Sequence, residues 1–320
     1  MNKKKHIPIL AVMTIGLLAA MLLCTRIGVI DMGWGELIDS SIFWQLRLPR
    51  VILSVLVGGA LAVCGATYQS VFRNPLTDPY VLGISSGASL GAAIAIIMGL
   101  QSMMWGVGGA ALAAGLLTVV LIYKISSIGN RMHTTTLLLT GTCFTFLCSA
   151  IISFLMVLHQ NKMESIIFWT MGGFSGASWT EVWMLLPIVL VGSTIVTIYG
   201  KELNLLLAGS ETAQSLGVEV EKVKRILLGV TTLMVAFAVS TSGVIGFVGL
   251  IVPHAVRLVT GPDNRRVIPY SVVCGGLLML VCDTIARTLM PPAELPVGAI
   301  TALIGAPMFV YLLYKNKKRY

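Results

Sequence analysis

Apolar residues fill this chain in long runs with few polar interruptions. Ten runs approach the ~20 residues that cross ~30 Å of hydrocarbon at 1.5 Å rise per residue. They lie at roughly 7–25, 51–71, 81–100, 103–123, 134–158, 182–200, 226–242, 243–260, 267–288 and 295–314. The last part of this pattern first reads as a single run, 226–256, of about thirty residues, more than one span requires. Ser240, Ser242, Gly243 and Gly246 interrupt it, so two helices with a break at 240–246 are expected. The connections are mostly short. Of the two longer ones on the same side, 26–50 and 159–181, the second contains FWTMGGFSGASW, whose aromatics and glycines predict a helix lying at a membrane interface. No Pro-rich linker, low-complexity tract or soluble domain appears, so residues 1–320 read as one transmembrane domain.

Loop charges give this layout a direction. With the N-terminus in the cytoplasm and the sides alternating, seventeen of the 22 Lys and Arg fall inside and five outside (Arg26, Arg47, Arg50, Lys162, Arg287). Cytoplasmic loops carry such an excess of basic residues. Merging any two spans would invert every later loop and destroy the bias, so both termini are expected in the cytoplasm.

Composition agrees. Hydrophobic residues make up 56% of the chain and charged residues 11%, against about 25% in soluble domains. A net charge of +9 would suggest nucleic acid as partner for a soluble protein; here it reports cytoplasmic loops facing a lipid surface, and no nucleic-acid partner is expected. The six cysteines fall in or beside apolar runs without CxxC or Cys/His spacing, so they read as membrane-core residues. The basic start MNKKKH lacks a following small-residue cleavage site near Arg26 and reads as an uncleaved first span.

The missing chemistry is equally informative. Only His254 and Asp283 approach the membrane interior, both near span ends, whereas proton or ion routes need buried ionisable groups. Asp283 with Arg287 reads as an i,i+4 pair on one helix face, and His254 as a residue satisfying backbone near Pro253. There is no Ser/His/Asp set, no paired carboxylates, no HExxH and no GxxxxGK[ST] phosphate loop, so the chain is not read as an enzyme and any ATP must bind elsewhere. Glycines at 58, 59, 65, 87, 91, 298 and 305 read as close-packing positions between helices. Arg47, Arg50 and Arg287, at outer span ends, either snorkel at the interface or meet acidic residues of an external partner. The segment 203–218, LNLLLAGSETAQSLGV, predicts a short cytoplasmic helix with Ser210 as N-cap, Glu211 in its first turn and Gly217 at its end. By itself it is either a surface loop or a point on which a partner pushes.

From residue 46 onward the chain closely resembles the membrane-spanning permease subunits of ATP-binding-cassette (ABC) importers for iron–siderophore complexes, haem and vitamin B12, the FecCD family. The resemblance rests on LRLPRVILSVLVGGALAVCGATYQSVFRNPLTDPYVLGISSGASLG (46–91), LLLTG (137–141), WTMGGFSGASW (169–179), LNLLLAGSETAQSLGV (203–218), GVIGFVGLIVPHAVRLVTG (243–261) and ELPVGAITALIGAP (294–307), in family order. It implies an all-α polytopic membrane protein of about ten spans with a vitamin B12 importer permease-like fold, in a bacterial plasma membrane. It implies two such subunits, as a homodimer or paralogous heterodimer, with two cytoplasmic ATPase subunits that hold ATP and Mg²⁺, and an extracytoplasmic substrate-binding protein. Carried over by position, Arg47, Arg50 and Arg287 match arginines that dock the binding protein. Thr134 and Thr135 match a cytoplasmic gate. Gly209, Ser210, Glu211, Thr212, Ala213, Gln214, Ser215, Leu216 and Gly217 match the helices inserted into the ATPase.

The expected function is therefore ATP-driven import of an iron–siderophore, with haem or vitamin B12 as alternative cargo. An ion-coupled secondary transporter would need an essential mid-membrane acid, which the sequence lacks. A receptor or anchor without transport would tolerate Glu211→Arg with uptake intact.

Overall fold

A computed structural model describes residues 6–28, 40–103, 105–128, 131–132 and 134–316. The described residues form thirteen α-helices: α1 (His6–Arg26), α2 (Leu48–Val71), α3 (Ile84–Ile97), α4 (Gly106–Ser126), α5 (Thr134–Leu158), α6 (Met163–Met171), α7 (Trp179–Ile198), α8 (Gly200–Ala208), α9 (Ser210–Ser215), α10 (Val220–Ser242), α11 (Val248–Thr260), α12 (Asn264–Thr288) and α13 (Val297–Asn316). Each of the ten apolar runs coincides with a helix. Seven are long and apolar enough to cross a membrane: α1, α2 with the turn from Phe43, α4, α5, α7, α10 and α12. Three are shorter, α3, α11 and α13. The connection between α5 and α7 holds a short helix, α6, but it takes in only residues 168–171 of the FWTMGGFSGASW stretch expected to be helical; residues 172–178 are not helical, since Gly172 at φ +69° ends the helix. One small departure is a two-stranded antiparallel ladder, β1 (Ser127–Ile128) with β2 (Arg131–Met132), pairing Ser127 with Met132 and Ile128 with Arg131. The basic residues at 3–5 and 317–319, and Asp31, Glu36 and Asp39, which enter the charge count, lie outside the described residues.

The fold is built around α2. This helix is apolar round its whole circumference, the pattern of a helix buried on every side, and 83% of its apolar window is buried, against 17% for α1 and for α5. It packs against α7, α10, α11 and α12. Its approach to α12 is set by glycine: a Cβ on Gly58 would lie 2.2 Å from the Gly275 carbonyl oxygen, and one on Gly275 would lie 2.4 Å from that of Gly58. In an apolar solvent there is little hydrophobic drive between helices, so such backbone-to-backbone contact supplies the association through dispersion. The other glycines read as packing positions behave alike. Gly87 and Gly91 lie against α4, Gly298 against the Met171 carbonyl, and Gly305 against Phe247.

The apolar run 226–256 breaks as expected. α10 stops at Ser242, α11 starts at Val248, and Gly243 and Phe247 take φ +67° and +70°. Non-helical backbone inside a membrane protein must find partners within the protein. Here the Tyr80 hydroxyl donates to the Ile245 carbonyl (3.0 Å) and accepts from the Ile245 N–H (3.2 Å), and the Gly173 N–H donates to the Ser242 carbonyl at 2.8 Å.

Candidate functional site

The candidate residues gather at opposite ends of α2. One end carries the segment 203–218. Instead of one short helix there are two, α8 and α9, hinged at Gly209, whose φ of +129° is open to glycine. Gly209, not Ser210, is therefore the N-cap of α9, and Ser210 is its first helical residue. The Ser210 hydroxyl instead accepts from Lys224 Nζ at 3.4 Å. The C-terminal end follows the sequence reading. The Gly217 N–H donates to the Gln214 carbonyl and the Val218 N–H to that of Ala213, both at 3.0 Å, with Gly217 at φ +87°. This is a Schellman closure, which needs a left-handed residue at that position. α8 is anchored by buried Leu203 and Leu206, and α9 by buried Ala213 alone. Glu211, Thr212, Gln214, Ser215, Leu216 and Gly217 are exposed, with Leu216 62% accessible at the tip.

Beneath α8, Asp263 caps α12 and accepts from Arg265 and from Asn204 Nδ2 (2.7 Å). Partial burial opposes its ionisation. The hydrogen bonds from Arg265 and Asn204 outweigh that and hold its carboxyl down to about 2, so it is a fixed negative charge at any physiological pH.

The other end collects the three arginines, all turned inward. Arg47 donates to the carbonyls of Thr25 (3.2 Å) and Arg26 (2.9 Å), and Arg287 Nη2 to that of Cys24, so both meet the last-turn carbonyls of α1 that have no helical donor. Arg50 bonds Asp283 with Nε and Nη2, and Glu294 with Nη1 at 2.8 Å. Arg287 Nε stands 3.7 Å from Asp283 Oδ2. The i,i+4 pairing read from sequence is present, but Arg50, more than two hundred residues away in sequence, is the closer partner. Asp283 is fully buried, and Arg47 and Arg287 are 8% and 5% exposed; Arg50 and Glu294 border an open cavity of about 400 Å³. Trp105, Phe168, Trp169, Glu181 and the end of α10 with its C-cap (240–243) complete much of its wall.

Thr134 and Thr135 begin α5, half-buried and exposed respectively. Along α5 the sequence reading passed over exposed hydroxyls at Thr142, Ser149 and Ser153. With Thr135 they recur at seven- and four-residue spacing, the signal of one helix face. The Thr142 and Ser153 hydroxyls bond carbonyls of their own helix, those of Leu138 and Ser149, and none of the four hydroxyl side chains carries a charge. The His254 ring stands edge-on to Phe309 of α13, 6.4 Å between centroids. The proline break beside it is served by Gln69. Pro253 has no N–H for the Gly249 carbonyl four residues earlier, and Gln69 Nε2 donates to that oxygen at 3.3 Å.

The chain is similar to known proteins. The cobalamin import system permease protein BtuC of Halobacterium salinarum is 46% identical over 274 residues, 86% of this chain and 73% of the relative. The vitamin B12 import system permease protein BtuC of Escherichia coli O9:H4 is 35% identical over 277 residues, 86% of this chain and 84% of the relative. A solved structure described as an inward-facing conformation of a metal-chelate type ABC transporter superposes with a TM-score of 0.87 at 32% identity, over 96% of this chain and 99% of the other. The FecCD transport family matches residues 9–315, nearly the whole length, and the chain belongs to that family.

Proposed function

We propose that this chain is the membrane-spanning permease subunit of an ABC importer for a metal chelate, one of two such subunits served by two cytoplasmic ATPases and an extracytoplasmic binding protein. The carrying observation is α9, a short helix with a closed C-terminus and an exposed polar rim, seated on the end of the buried helix core. It suits insertion into a partner, and a chain with no phosphate loop of its own requires one that binds ATP and Mg²⁺. The orientation has both termini and α9 in the cytoplasm, ten spans across the bacterial plasma membrane, and the Arg50–Asp283 end outside. The hydroxyl face of α5, beginning at Thr134 and Thr135, lines the pathway and its cytoplasmic gate, where neutral side chains let a bulky chelate pass without a binding trap. Arg47, Arg50 and Arg287 are the positive charges that meet an acidic binding-protein surface, with Arg50 at the cavity rim. This subunit does no covalent chemistry.

The sequence reading places ferric siderophores ahead of haem and vitamin B12 as cargo. The named relatives are a cobalamin and a vitamin B12 import permease, which moves cobalamin (vitamin B12) to the front of the order of testing. The test is uptake into proteoliposomes holding this chain, its ATPases and binding protein, with cyanocobalamin, haem and a ferric hydroxamate siderophore offered separately. ATP-dependent uptake of one of the three is expected. Uptake by the permease alone, driven by a proton gradient, overturns the reading.

A further inference from the structure

A continuous file of side-chain hydrogen bonds runs from α8 into the middle of the fold. Asn204 of α8 donates to Asp263 at 2.7 Å and accepts the Asn264 N–H at 2.8 Å. Asn264, fully buried at the first turn of α12, accepts through Oδ1 from Ser70 Oγ (3.2 Å) and Arg257 Nη2 (3.4 Å). Arg257, on α11, also donates to the Ala66 carbonyl (3.1 Å), to Ser70 Oγ (3.2 Å) and to Gln69 Oε1, all on α2. Gln69 then donates to the carbonyls of Gly249 (3.3 Å) and Leu250 (3.2 Å), in the first turn of α11 just past the break. Four elements meet in this file: α8, the start of α12, the last turn of α2 and the start of α11.

Its centre is chemically unusual. Among the described residues no carboxylate lies within ion-pair distance of Arg257, and each acceptor that Arg257 itself bonds is neutral. The opposite end of α2 is clamped by a guanidinium–carboxylate pair, in which both partners are charged. A cation held by several neutral acceptors is directional: a displacement of about an ångström lengthens its bonds past their working range. The same cation can change acceptors without stranding a carboxylate in the core. That suits a joint that moves, as the Arg50–Asp283 pair suits one that stays.

We infer that Asn204, Asn264 and Arg257 are positioning residues that carry displacement of α8–α9 to the end of α2 and to the start of α11, so that nucleotide-driven motion of the partner reaches the break at 243–247. The inference rests on the reading of α9 as the ATPase contact. Apolar packing of Leu203 and Leu206 is the competing route, and it predicts that the file is dispensable.

The test uses the complete complex of this chain with its ATPase subunits in lipid nanodiscs. Amide hydrogen exchange is compared between the ADP state and the ATP–vanadate trapped state. In the wild type, ATPase binding protects 209–217, and nucleotide changes exchange at 66–78 and 247–252. In Asn204→Ala, and separately in Arg257→Gln, protection of 209–217 persists. The nucleotide response of the opening equilibrium at 66–78 is expected to fall by about 2- to 30-fold, the span by which single residues alter linkage between sites. The double variant loses no more than the worse single one, because both lie on one file. A wild-type response at 66–78 in Asn204→Ala, a half-buried position whose loss leaves the core packing in place, overturns the inference even if Arg257→Gln fails to fold. Absence of protection at 209–217 in the wild type removes the ATPase reading itself, which is a separate result.

Discussion

Arg50 of α2 and Asp283 of α12 are joined by two guanidinium nitrogens, Nη2 at 2.9 Å and Nε at 3.0 Å from Oδ1, with the carboxylate fully buried. Removing one partner of such a pair leaves a buried charge uncompensated, which costs about 3–5 kcal/mol. Asp283→Ala is therefore expected to lower the thermal midpoint in detergent sharply, and Arg50→Ala/Asp283→Ala to recover part of the loss. Additive losses in this double-mutant cycle would show that the bridge carries no net interaction.

The close approach of α2 and α12 makes a second, steric prediction. Gly58→Ala places a methyl 2.2 Å from the Gly275 carbonyl oxygen, and backbone on both sides must separate. Overpacking of this kind costs about 1–3 kcal/mol or more. Gly229→Ala in α10 is the control: no atom lies within 4 Å of its ideal Cβ, and an alanine in a helix interior is favoured over glycine by about 0.5–1 kcal/mol. Melting of the two variants in parallel should move in opposite directions.

How far the sequence reaches depends on the range of each interaction. The ten helices are legible because every apolar run is a local pattern, and the break at 243–247 because small residues interrupt one. Gly217 is legible because a Schellman closure is local too. Ser210 misleads because it is a good cap in isolation, whereas the hinge puts Gly209 at φ +129° and takes the capping position one residue earlier. The pairing of Arg50 with Asp283 is not legible: nothing local connects them, and Arg287 at i+4 offers a nearer explanation. Arg257 counts in the sequence as one more basic residue at a helix end. Only the crossing of α2 and α11 supplies the acceptors that draw it inward. Gln69 has a signal that could have been found, since Pro253 frees the carbonyl of Gly249 and an amide is the natural replacement donor.

Gly217→Val tests the closure of α9. A β-branched residue at φ +87° costs about 1–2 kcal/mol relative to glycine, and no neighbour lies close enough to add a clash. The expected effect is local: faster amide exchange over 210–218, unchanged global melting, and weaker co-purification of the ATPase subunits. Wild-type ATPase retention with a visibly frayed α9 would make the segment a loop without a docking role.

Reversing Arg47 or Arg50 to Glu would break internal contacts as well as external ones, so it cannot isolate docking. Glu294→Gln can. Glu294 is 38% exposed by side chain and shares Arg50 with Asp283, which alone suffices to hold the guanidinium in place. Neutralising Glu294 removes one negative charge from the rim, leaves the buried pair intact, and presents a more positive surface. If the outer end docks an acidic binding protein, association with Glu294→Gln should be several-fold faster at low ionic strength, since rim charges act chiefly on the on-rate. The gain should shrink at 0.15 M salt, where the screening length is about 8 Å, and vanish near 1 M, where it is about 3 Å. Stopped-flow association of the labelled binding protein with permease in nanodiscs measures it, and unchanged melting confirms that the buried pair is undisturbed. A rate equal to wild type at every salt concentration would place the docking surface away from Arg50 and leave the three arginines as internal ties of α1, α2 and α12.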